Sequence, residues 1–397
     1  MPGRRLPFSV LAKPAGAACN LDCTYCYFLS KELLADDAGR QMPDDVVRAY
    51  LANLFASHPD GPVEVAWQGG EPTLRGLAFF RRAVALAEEL RRPRQQVRHV
   101  IQTNGTLLDD TWGEFLAEHH FLVGLSVDGP AALHDAHRVD RAGRGTHAQV
   151  LRGWQVLRRH GVAANVLCTV NAVNQHHGLA VYRYLRDDLA ATHLQFIPVV
   201  ERAPAPLLPL AEQGWRPGAH GHRTVLYRQH GDRVTSRSVD PVAYGEFLCA
   251  VFDEWLAHDV GTVVVGDVEV ALGNLRGRHT LCVHSPVCGR SVAVEPGGDV
   301  YACDHYVEPG YRRGNVATDA FTDLLAGEDQ QRFGAAKLAA LPGQCRACPV
   351  RWACHGGCPK DRFLRTADGE PGLNYLCAGY HAFFTHTAPA LRALSHR

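Results

Sequence analysis

Several features that define whole classes of protein are absent from this 397-residue sequence. It has no run of 18 apolar residues, and a helix needs about 20 to cross a bilayer, so we expect no membrane span. Its first residues, "MPGRRLPFSVLAKPAG", contain no long apolar stretch, so we expect no secretory leader. Net charge is also absent, because 41 basic residues balance 41 acidic ones. We therefore expect a cytoplasmic protein without nucleic-acid or membrane partners.

Cysteines are plentiful, but they do not form the pattern of a disulfide framework. There are 13 of them, an odd number in a long chain, and they cluster in short-spaced groups near its two ends. The first group, "CNLDCTYC", contains Cys19, Cys23 and Cys26 and no fourth thiol. Two thiols would suit a redox pair and four a closed zinc site, whereas three leave one iron of a cubic cluster open to a small molecule. The loop therefore predicts a catalytic iron–sulfur cluster.

A second cysteine field begins at residue 282. Its thiols are Cys282, Cys288, Cys303, Cys345, Cys348, Cys354, Cys358 and Cys377. These eight thiols are enough for two sites of four. The stretch "CRACPVRWACHGGC" alone also fits a zinc site. Beside a separate three-cysteine loop, two fully ligated iron–sulfur clusters are the favoured interpretation.

Strands alternate with helices over the first two-thirds of the chain. The segments "PVEVAWQGGEPTL" and "VRHVIQTNGTLL" each predict a strand, a polar turn and a following helix, and "FLVGLSVDGP", "ANVLCTVN" and "HLQFIPVVE" predict further strands. This alternation predicts an α/β fold with a parallel sheet, and polar residues at the strand ends predict the active site there. Residues 201–240 are rich in Pro and Gly, and we interpret them as a linker or surface insertion.

Taken together, these motifs resemble a known family. The three-cysteine loop, followed by Gly69, Gly70 and Glu71, resembles radical S-adenosylmethionine (SAM) enzymes, and the later cysteines resemble the SPASM extension with two auxiliary clusters. Seven segments in order are similar to the anaerobic sulfatase-maturating enzymes: "CNLDCTYCYF", "AWQGGEPTL", "QTNGT", "SVDGP", "QFIPVVE", "GDVYACDHYVEPGYRRGNV" and "CHGGCPKDRF". The resemblance implies a partial (β/α)6 TIM-like radical SAM barrel in residues 1–235 and a cysteine-rich SPASM domain in residues 236–397.

The resemblance also implies residue roles. Cys19, Cys23 and Cys26 would hold the catalytic [4Fe–4S] cluster, whose open iron S-adenosylmethionine chelates. The implied cofactor-binding residues are Tyr25, Gly69, Gly70, Glu71, Ser126 and Arg138, with Gly70 leaving room for the cofactor's amino group. The implied ligands of the two auxiliary [4Fe–4S] clusters are Cys282, Cys288, Cys303 and Cys358 for one and Cys345, Cys348, Cys354 and Cys377 for the other. Asp304 matches the family's base, and His305 beside it is a competing candidate.

The implied activity is oxidation of a Cys or Ser to Cα-formylglycine in a sulfatase polypeptide or peptide with a Cys/Ser-x-Pro-x-Arg-like motif. A 5′-deoxyadenosyl radical would remove a hydrogen from Cβ, and loss of a proton and an electron would complete the oxidation. With Ser this gives the aldehyde directly, and with Cys it gives a thioaldehyde that water hydrolyses to Cα-formylglycine. A ferredoxin or flavodoxin would donate electrons. One alternative is a radical SAM/SPASM maturase that forms thioether or C–C crosslinks in a ribosomal peptide. Another is an electron carrier or scaffold without turnover, which would need neither the Gly-Gly-Glu turn nor an open iron.

Overall fold

The computed structural model of the protein describes residues 8–34, 41–215 and 226–395. The strands are β1 (Ser9–Ala12), β2 (Gly61–Trp67), β3 (Gln95–Thr103), β4 (Leu122–Ser126), β5 (Ala163–Val170), β6 (His193–Pro198), β7 (Arg202–Ala203), β8 (Arg233–Val234), β9 (Val264–Val265), β10 (Ser291–Val294), β11 (Asp299–Tyr301), β12 (Arg312–Asn315), β13 (Leu364–Arg365) and β14 (Pro371–Leu373). None of the helices within these described residues is long and apolar enough to span a membrane.

The helices surround this sheet framework. They are α1 (Asp44–Ser57), α2 (Gly76–Leu90), α3 (Asp110–Glu118), α4 (Ala131–His134), α5 (His147–Arg159), α6 (Gly178–Arg183), α7 (Leu208–Ala211), α8 (Pro241–His258), α9 (Gly266–Leu275), α10 (Phe321–Ala326), α11 (Glu328–Ala339), α12 (Gly343–Arg346), α13 (Arg351–Cys354) and α14 (Cys377–Ser395). The helix α8 shows why the chain folds locally as it does. The Asp240 carboxylate accepts hydrogen bonds from the amides of Val242 and Ala243, and Pro241 occupies the first helical position.

One ten-stranded sheet organises the molecule, in the order β12-β11-β10-β1-β2-β3-β4-β5-β6-β9. Strands β1 to β6 are parallel and lie side by side in chain order. The predicted α/β fold, a partial (β/α)6 barrel with a SPASM extension, is confirmed. Strand β10 of the extension pairs in parallel with β1, where Ser9 lies opposite Ser291. Strands from both sides of residue 236 therefore share the sheet, and the division into domains at that position stays a prediction.

The apolar core lies between the sheet and its helices. Trp67 at the end of β2 is buried, and its ring meets the rings of Phe79 and Phe80 on α2 with centroids 5.7 and 5.9 Å apart. Both distances fall in the range where edge-to-face aromatic pairs are favourable. Helix α2 therefore carries its apolar stripe directly over the strand that precedes the Gly-Gly-Glu turn.

Residues 201–240 were interpreted as a linker or a surface insertion. For the parts that the structure describes, which leave out residues 216–225, the linker interpretation is wrong, whereas the surface insertion stays a prediction. Glu201 is buried, and its carboxylate accepts hydrogen bonds from Trp215 Nε1 at 2.6 Å and Arg237 Nε at 2.8 Å. Trp215 packs edge-on against Tyr227 with ring centroids 4.6 Å apart. Both contacts lie within the segment, and Tyr227 ties it to the rest of the protein, because Lys31 Nζ donates a hydrogen bond to the Tyr227 carbonyl at 2.8 Å. Neither contact produces the regular periodicity that sequence reasoning relies on.

Candidate active site

The three N-terminal cysteines lie in the loop that follows β1. The Cys26 amide donates to the Cys23 carbonyl at 2.9 Å, and Cys19 Sγ accepts a hydrogen bond from the Leu21 amide at 3.4 Å. Burial raises the pKa of all three thiols, to about 12 for Cys23, and for Cys19 and Cys23 a neighbouring thiol adds to the effect. Thiolates are therefore unfavourable here without a positive partner. An iron–sulfur cluster supplies that partner, so these residues fit the group that the sequence implies.

Gly69 and Gly70 bring the following turn against this loop. The Gly70 amide donates to the Gly16 carbonyl and the Glu71 amide to the Ala18 carbonyl, both at 2.8 Å. A Cβ atom at Gly70 would lie 2.0 Å from the Ala18 carbonyl oxygen, and Gly69 has φ +123°. Glycine is therefore needed here because two backbones touch. The resemblance implied a different reason, room for the cofactor, and that role stays a prediction.

Glu71 fixes the turn from inside the protein. Its buried carboxylate accepts hydrogen bonds from Thr73 N at 3.0 Å, Thr103 Oγ1 at 2.7 Å and Asn104 N at 2.8 Å. Burial raises its pKa, and these donors oppose that rise. The Asn104 amide group also lies 3.8 Å from Cys19 Sγ. Glu71 thus joins the Gly-Gly-Glu turn, the end of β3 and the cysteine loop into one unit.

Tyr25 and Arg138 meet at a carboxylate that the sequence reasoning did not assign. Asp128 accepts hydrogen bonds from the Tyr25 hydroxyl at 2.5 Å, from Arg138 Nε at 2.9 Å and Nη2 at 3.1 Å, and from the Thr169 amide at 2.9 Å. Burial alone would raise the Asp128 pKa, but Arg138 outweighs it and holds the pKa below its ordinary value. Ser126, also buried, ends β4 two residues earlier. Asp128 thus links Tyr25 of the cysteine loop to Arg138 and to the end of β5 in one buried polar cluster.

The eight later cysteines fall into two groups. Burial raises the Cys303 pKa most, and the thiols of Cys358 and Cys282 raise it further. Burial likewise raises the Cys288 pKa, and the Cys282 thiol adds to that rise. Burial raises the Cys354 pKa to about 12, and Cys377, Cys345 and Cys348 add to it. Among the described residues, no three Cys, His, Asp or Glu side chains form a group that could hold a single metal ion. Four thiols in each group suit a cubic cluster, whose thiolates bind different irons.

Asp304 follows Cys303 directly, and its carboxylate forms an ion pair with the buried ammonium group of Lys13. Burial tends to raise the Asp304 pKa, but Lys13 and then His305 outweigh it, so the pKa lies below its ordinary value. Burial lowers the His305 pKa to about 4, and its Nδ1 lies 2.9 Å from the Tyr27 hydroxyl. The aspartate is thus ionised at neutral pH, whereas the neutral histidine already has a partner.

Two residues of the site, Asp128 and Lys13, were missed by sequence reasoning. Each is a charged residue within two positions of a strand's last residue, Asp128 after β4 and Lys13 after β1. Both are almost completely buried. Charged residues just beyond the carboxyl ends of parallel strands are the signal that could have found them, because active sites of such sheets form at that edge.

The fold and the cysteine loop define a radical SAM enzyme, and two family models support that class. The Radical SAM superfamily model matches residues 14–179, and an iron–sulfur cluster-binding domain, SPASM, matches residues 282–349. The chain is 38% identical over 385 residues to a serine-type anaerobic sulfatase-maturating enzyme of Bacteroides thetaiotaomicron, covering 96% of this chain and 90% of the relative. The chain belongs to the anaerobic sulfatase-maturating enzyme family.

Other relatives agree over nearly the whole length. A cysteine-type anaerobic sulfatase-maturating enzyme of Clostridium perfringens is 31% identical over 392 residues, which is 97% of both chains. The solved structure of native anSMEcpe with bound AdoMet superposes with a TM-score of 0.81 at 30% identity, covering 98% of this chain and all of the other. A second structure of that protein, with AdoMet and the Cp18Cys peptide, gives a TM-score of 0.82 at 29% identity and covers 98% and 99% of the two chains. The predicted family is confirmed.

Proposed function

We propose that this enzyme oxidises a Cys or Ser side chain of a sulfatase polypeptide or peptide to Cα-formylglycine. Support comes from its full-length relatives, one named serine-type and the other cysteine-type, and from the peptide bound to anSMEcpe. The target motif would resemble Cys/Ser-x-Pro-x-Arg. The full-length matches support this activity over peptide crosslinking.

The cysteines would divide among three [4Fe–4S] clusters. Cys19, Cys23 and Cys26 hold the catalytic cluster in the radical SAM core, residues 1–235. The eight later thiols hold the two auxiliary clusters in the SPASM domain, residues 236–397, in the groups described above. When bound, the catalytic cluster and S-adenosylmethionine supply the radical that removes a hydrogen from Cβ of the target.

The residues around the cysteine loop would orient the cofactor. Gly69 and Gly70 keep the turn close to the loop, and Glu71 holds it from behind. Arg138 would contact the cofactor's carboxylate. Its guanidinium group is held in one position, because its Nε and Nη2 atoms donate hydrogen bonds to the two carboxylate oxygens of Asp128. Tyr25 would contact the cofactor through its backbone, since its hydroxyl group is bound to the same aspartate. Ser126 would contact a polar end of the cofactor.

Asp304 would accept the proton that the target thiol or hydroxyl loses. The observation that carries this proposal is its ion pair with Lys13. Lys13 is the first residue after β1 and therefore begins the cysteine loop. Its contact with Asp304 supports a site shared by this loop and a carboxylate nearly 300 residues later in the chain. Lys13 would hold the carboxylate in place and keep it ionised.

Electrons would come from a one-electron carrier such as a ferredoxin or a flavodoxin. A cytoplasmic location is the proposal that suits this chemistry, because clustered thiols that bind metal need a reducing compartment.

The test is mass spectrometry of matched peptides with Cys, Ser or Ala at the target position after anaerobic incubation with the reconstituted enzyme. A hydrazide probe is added afterwards, because it labels the aldehyde of formylglycine but neither a thioether nor a C–C crosslink. We expect labelled product from the Cys or Ser peptide and none from the Ala peptide. Release of 5′-deoxyadenosine with an unlabelled, crosslinked product would contradict the proposal.

A further inference from the structure

Four exposed arginines lie on α13, the helix that ends at Cys354, and on two elements that pack against it, the turn after α9 and α14. We name as the arginine face the residues Arg276, Arg278, Arg351 and Arg392, all of which are exposed. Arg351 begins α13, and its amide donates to the Cys348 carbonyl at 3.1 Å. One arginine of the face is thus hydrogen-bonded directly to a cysteine of the second group.

Direct contacts hold the other three arginines in the same region. Asn274 Nδ2 donates to the Ala353 carbonyl at 3.0 Å, which ties the turn that carries Arg276 and Arg278 to α13. The ring of His279 in this turn lies 5.1 Å from that of His355, whose amide donates to the Arg351 carbonyl at 3.0 Å.

The C-terminal helix completes the face. Arg276 Nη2 donates to the Ser395 carbonyl at 3.4 Å, and Ser395 Oγ donates to the Arg392 carbonyl at 2.8 Å. The last turn of α14 therefore lies beside the turn after α9, and its arginine joins the same surface.

The arginine face carries positive charge without compensation. Among the residues that the structure describes, no carboxylate pairs with any of its four arginines, whereas Arg346 nearby has Glu370 at 3.6 Å. Exposed arginines elsewhere commonly have partners, such as Arg48 with Glu89 at 2.9 Å. Since the chain as a whole has no net charge, this face is a local excess that acts over about one Debye length, ~8–10 Å in ordinary buffer.

The surface next to the face permits a close approach to the thiols. Cys345 and Cys348 are only half-buried, and the side chains that flank Cys348, Ala347 and Pro349, are small, apolar and exposed. Redox complexes characteristically have small interfaces and rely on charge to steer and orient the partners.

We propose that the arginine face is the docking surface for an acidic one-electron carrier protein, which it holds over the Cys345 and Cys348 side of the SPASM domain. The proposal rests on the proposed function in one respect, that these cysteines hold a cluster. It goes beyond that function by naming where the carrier binds and which charges it must present.

The test measures binding rather than turnover. A flavodoxin with a net negative charge is titrated with the anaerobically reconstituted enzyme, and its FMN fluorescence reports the dissociation constant at low and at moderate salt. For Arg278→Glu/Arg351→Glu we expect a dissociation constant higher on the order of tenfold at low salt, and a weaker dependence on salt. The matched control is Arg94→Glu/Arg152→Glu, which reverses two exposed arginines within residues 1–235 and should bind like wild type; neither arginine pairs with a carboxylate in the part of the chain that the structure describes.

Three outcomes would overturn the inference, with iron content measured on each sample. The first is unchanged binding by Arg278→Glu/Arg351→Glu and by the second pair, Arg276→Glu/Arg392→Glu. The second is loss of binding only in Arg144→Glu, which would place the carrier on the loop next to the catalytic cysteines. The third is that the variants of the arginine face bind the target peptide more weakly but bind the flavodoxin like wild type. Formylglycine formation with dithionite as reductant is assayed separately, so a failed activity and a failed docking surface give different results.

Discussion

Replacing Gly70 with Ala should disrupt the catalytic cluster and spare the auxiliary ones. The new Cβ would lie 2.0 Å from the Ala18 carbonyl oxygen, and since real Cβ contacts are essentially never shorter than 3.0 Å, one of the two backbones must move by about 1 Å. Overpacking of this kind costs about 1–3 kcal/mol. The movement also breaks the hydrogen bonds from Gly70 to Gly16 and from Glu71 to Ala18, worth about 1 kcal/mol each. The overpacking and the two lost hydrogen bonds together should destabilise the cysteine loop by about 3–5 kcal/mol.

The assay is iron content with cluster spectroscopy after anaerobic reconstitution. We expect wild type to bind about twelve irons and Gly70→Ala about eight, because only the four at the cysteine loop are lost. Cleavage of S-adenosylmethionine should fall to background. Gly310→Ala is the control, since a Cβ there meets nothing within 4 Å. If Gly70→Ala retained about twelve irons and cleaved the cofactor normally, the argument that two backbones touch at this glycine would be refuted.

Three further predictions follow from the site. Replacing Cys19, Cys23 and Cys26 together with Ala should abolish 5′-deoxyadenosine formation but leave about eight irons bound, and continued cleavage would sink the loop assignment. Asp304→Asn should still cleave the cofactor, but the ratio of formylglycine to 5′-deoxyadenosine should fall on the order of a hundredfold; an unchanged ratio would exclude Asp304 as the base. Burial raises the Glu295 pKa from its ordinary 4.5 to about 7. Its protonated form therefore stabilises the fold, and this contribution is lost as the pH rises through 7. In urea titrations, the free energy of unfolding should fall less between pH 5 and pH 8 for Glu295→Gln than for wild type. Equal falls would contradict the raised pKa of Glu295.

The parts of the fold that obey a simple period could be predicted from the sequence. Strands such as β2 and β3 are followed by glycines and small polar residues, so the alternation of strand, turn and helix from β2 to β6 was visible and predicted a parallel sheet. Neither β1 nor the order of the strands was predicted. Cysteine spacing likewise indicated three metal sites. What spacing cannot supply is which thiols meet in space. The contact between Cys358 and the Cys303 group depends on the folded SPASM region, and only the family resemblance suggested it.

Buried charge is the part of the site that the sequence concealed. Asp128, Lys13 and Glu201 are isolated charged residues within apolar or Pro-rich stretches. Each pairs with a residue that is not its neighbour in the chain, ten positions away for Asp128 and much farther for Lys13. Asp128 binds Arg138, Lys13 binds Asp304, and Glu201 binds Arg237. A buried charge without its partner is costly, so these pairs are strong constraints in the folded protein. The position just after a strand could have pointed to Asp128 and Lys13, but no local pattern reveals which residue pairs with each of them.

The pairing of β1 with β10 has a consequence for biosynthesis. Ser9 and Ser291 are neighbours in the sheet although 282 residues separate them, and the catalytic cysteine loop begins a few residues after β1. During synthesis the edge of β1 therefore stays open until β10 leaves the ribosome, and an open strand edge invites wrong pairing. The strand that positions the first-made cysteines gains its second neighbour only when three-quarters of the chain exists. Loading of iron into this loop should accordingly occur late, after translation has passed β10.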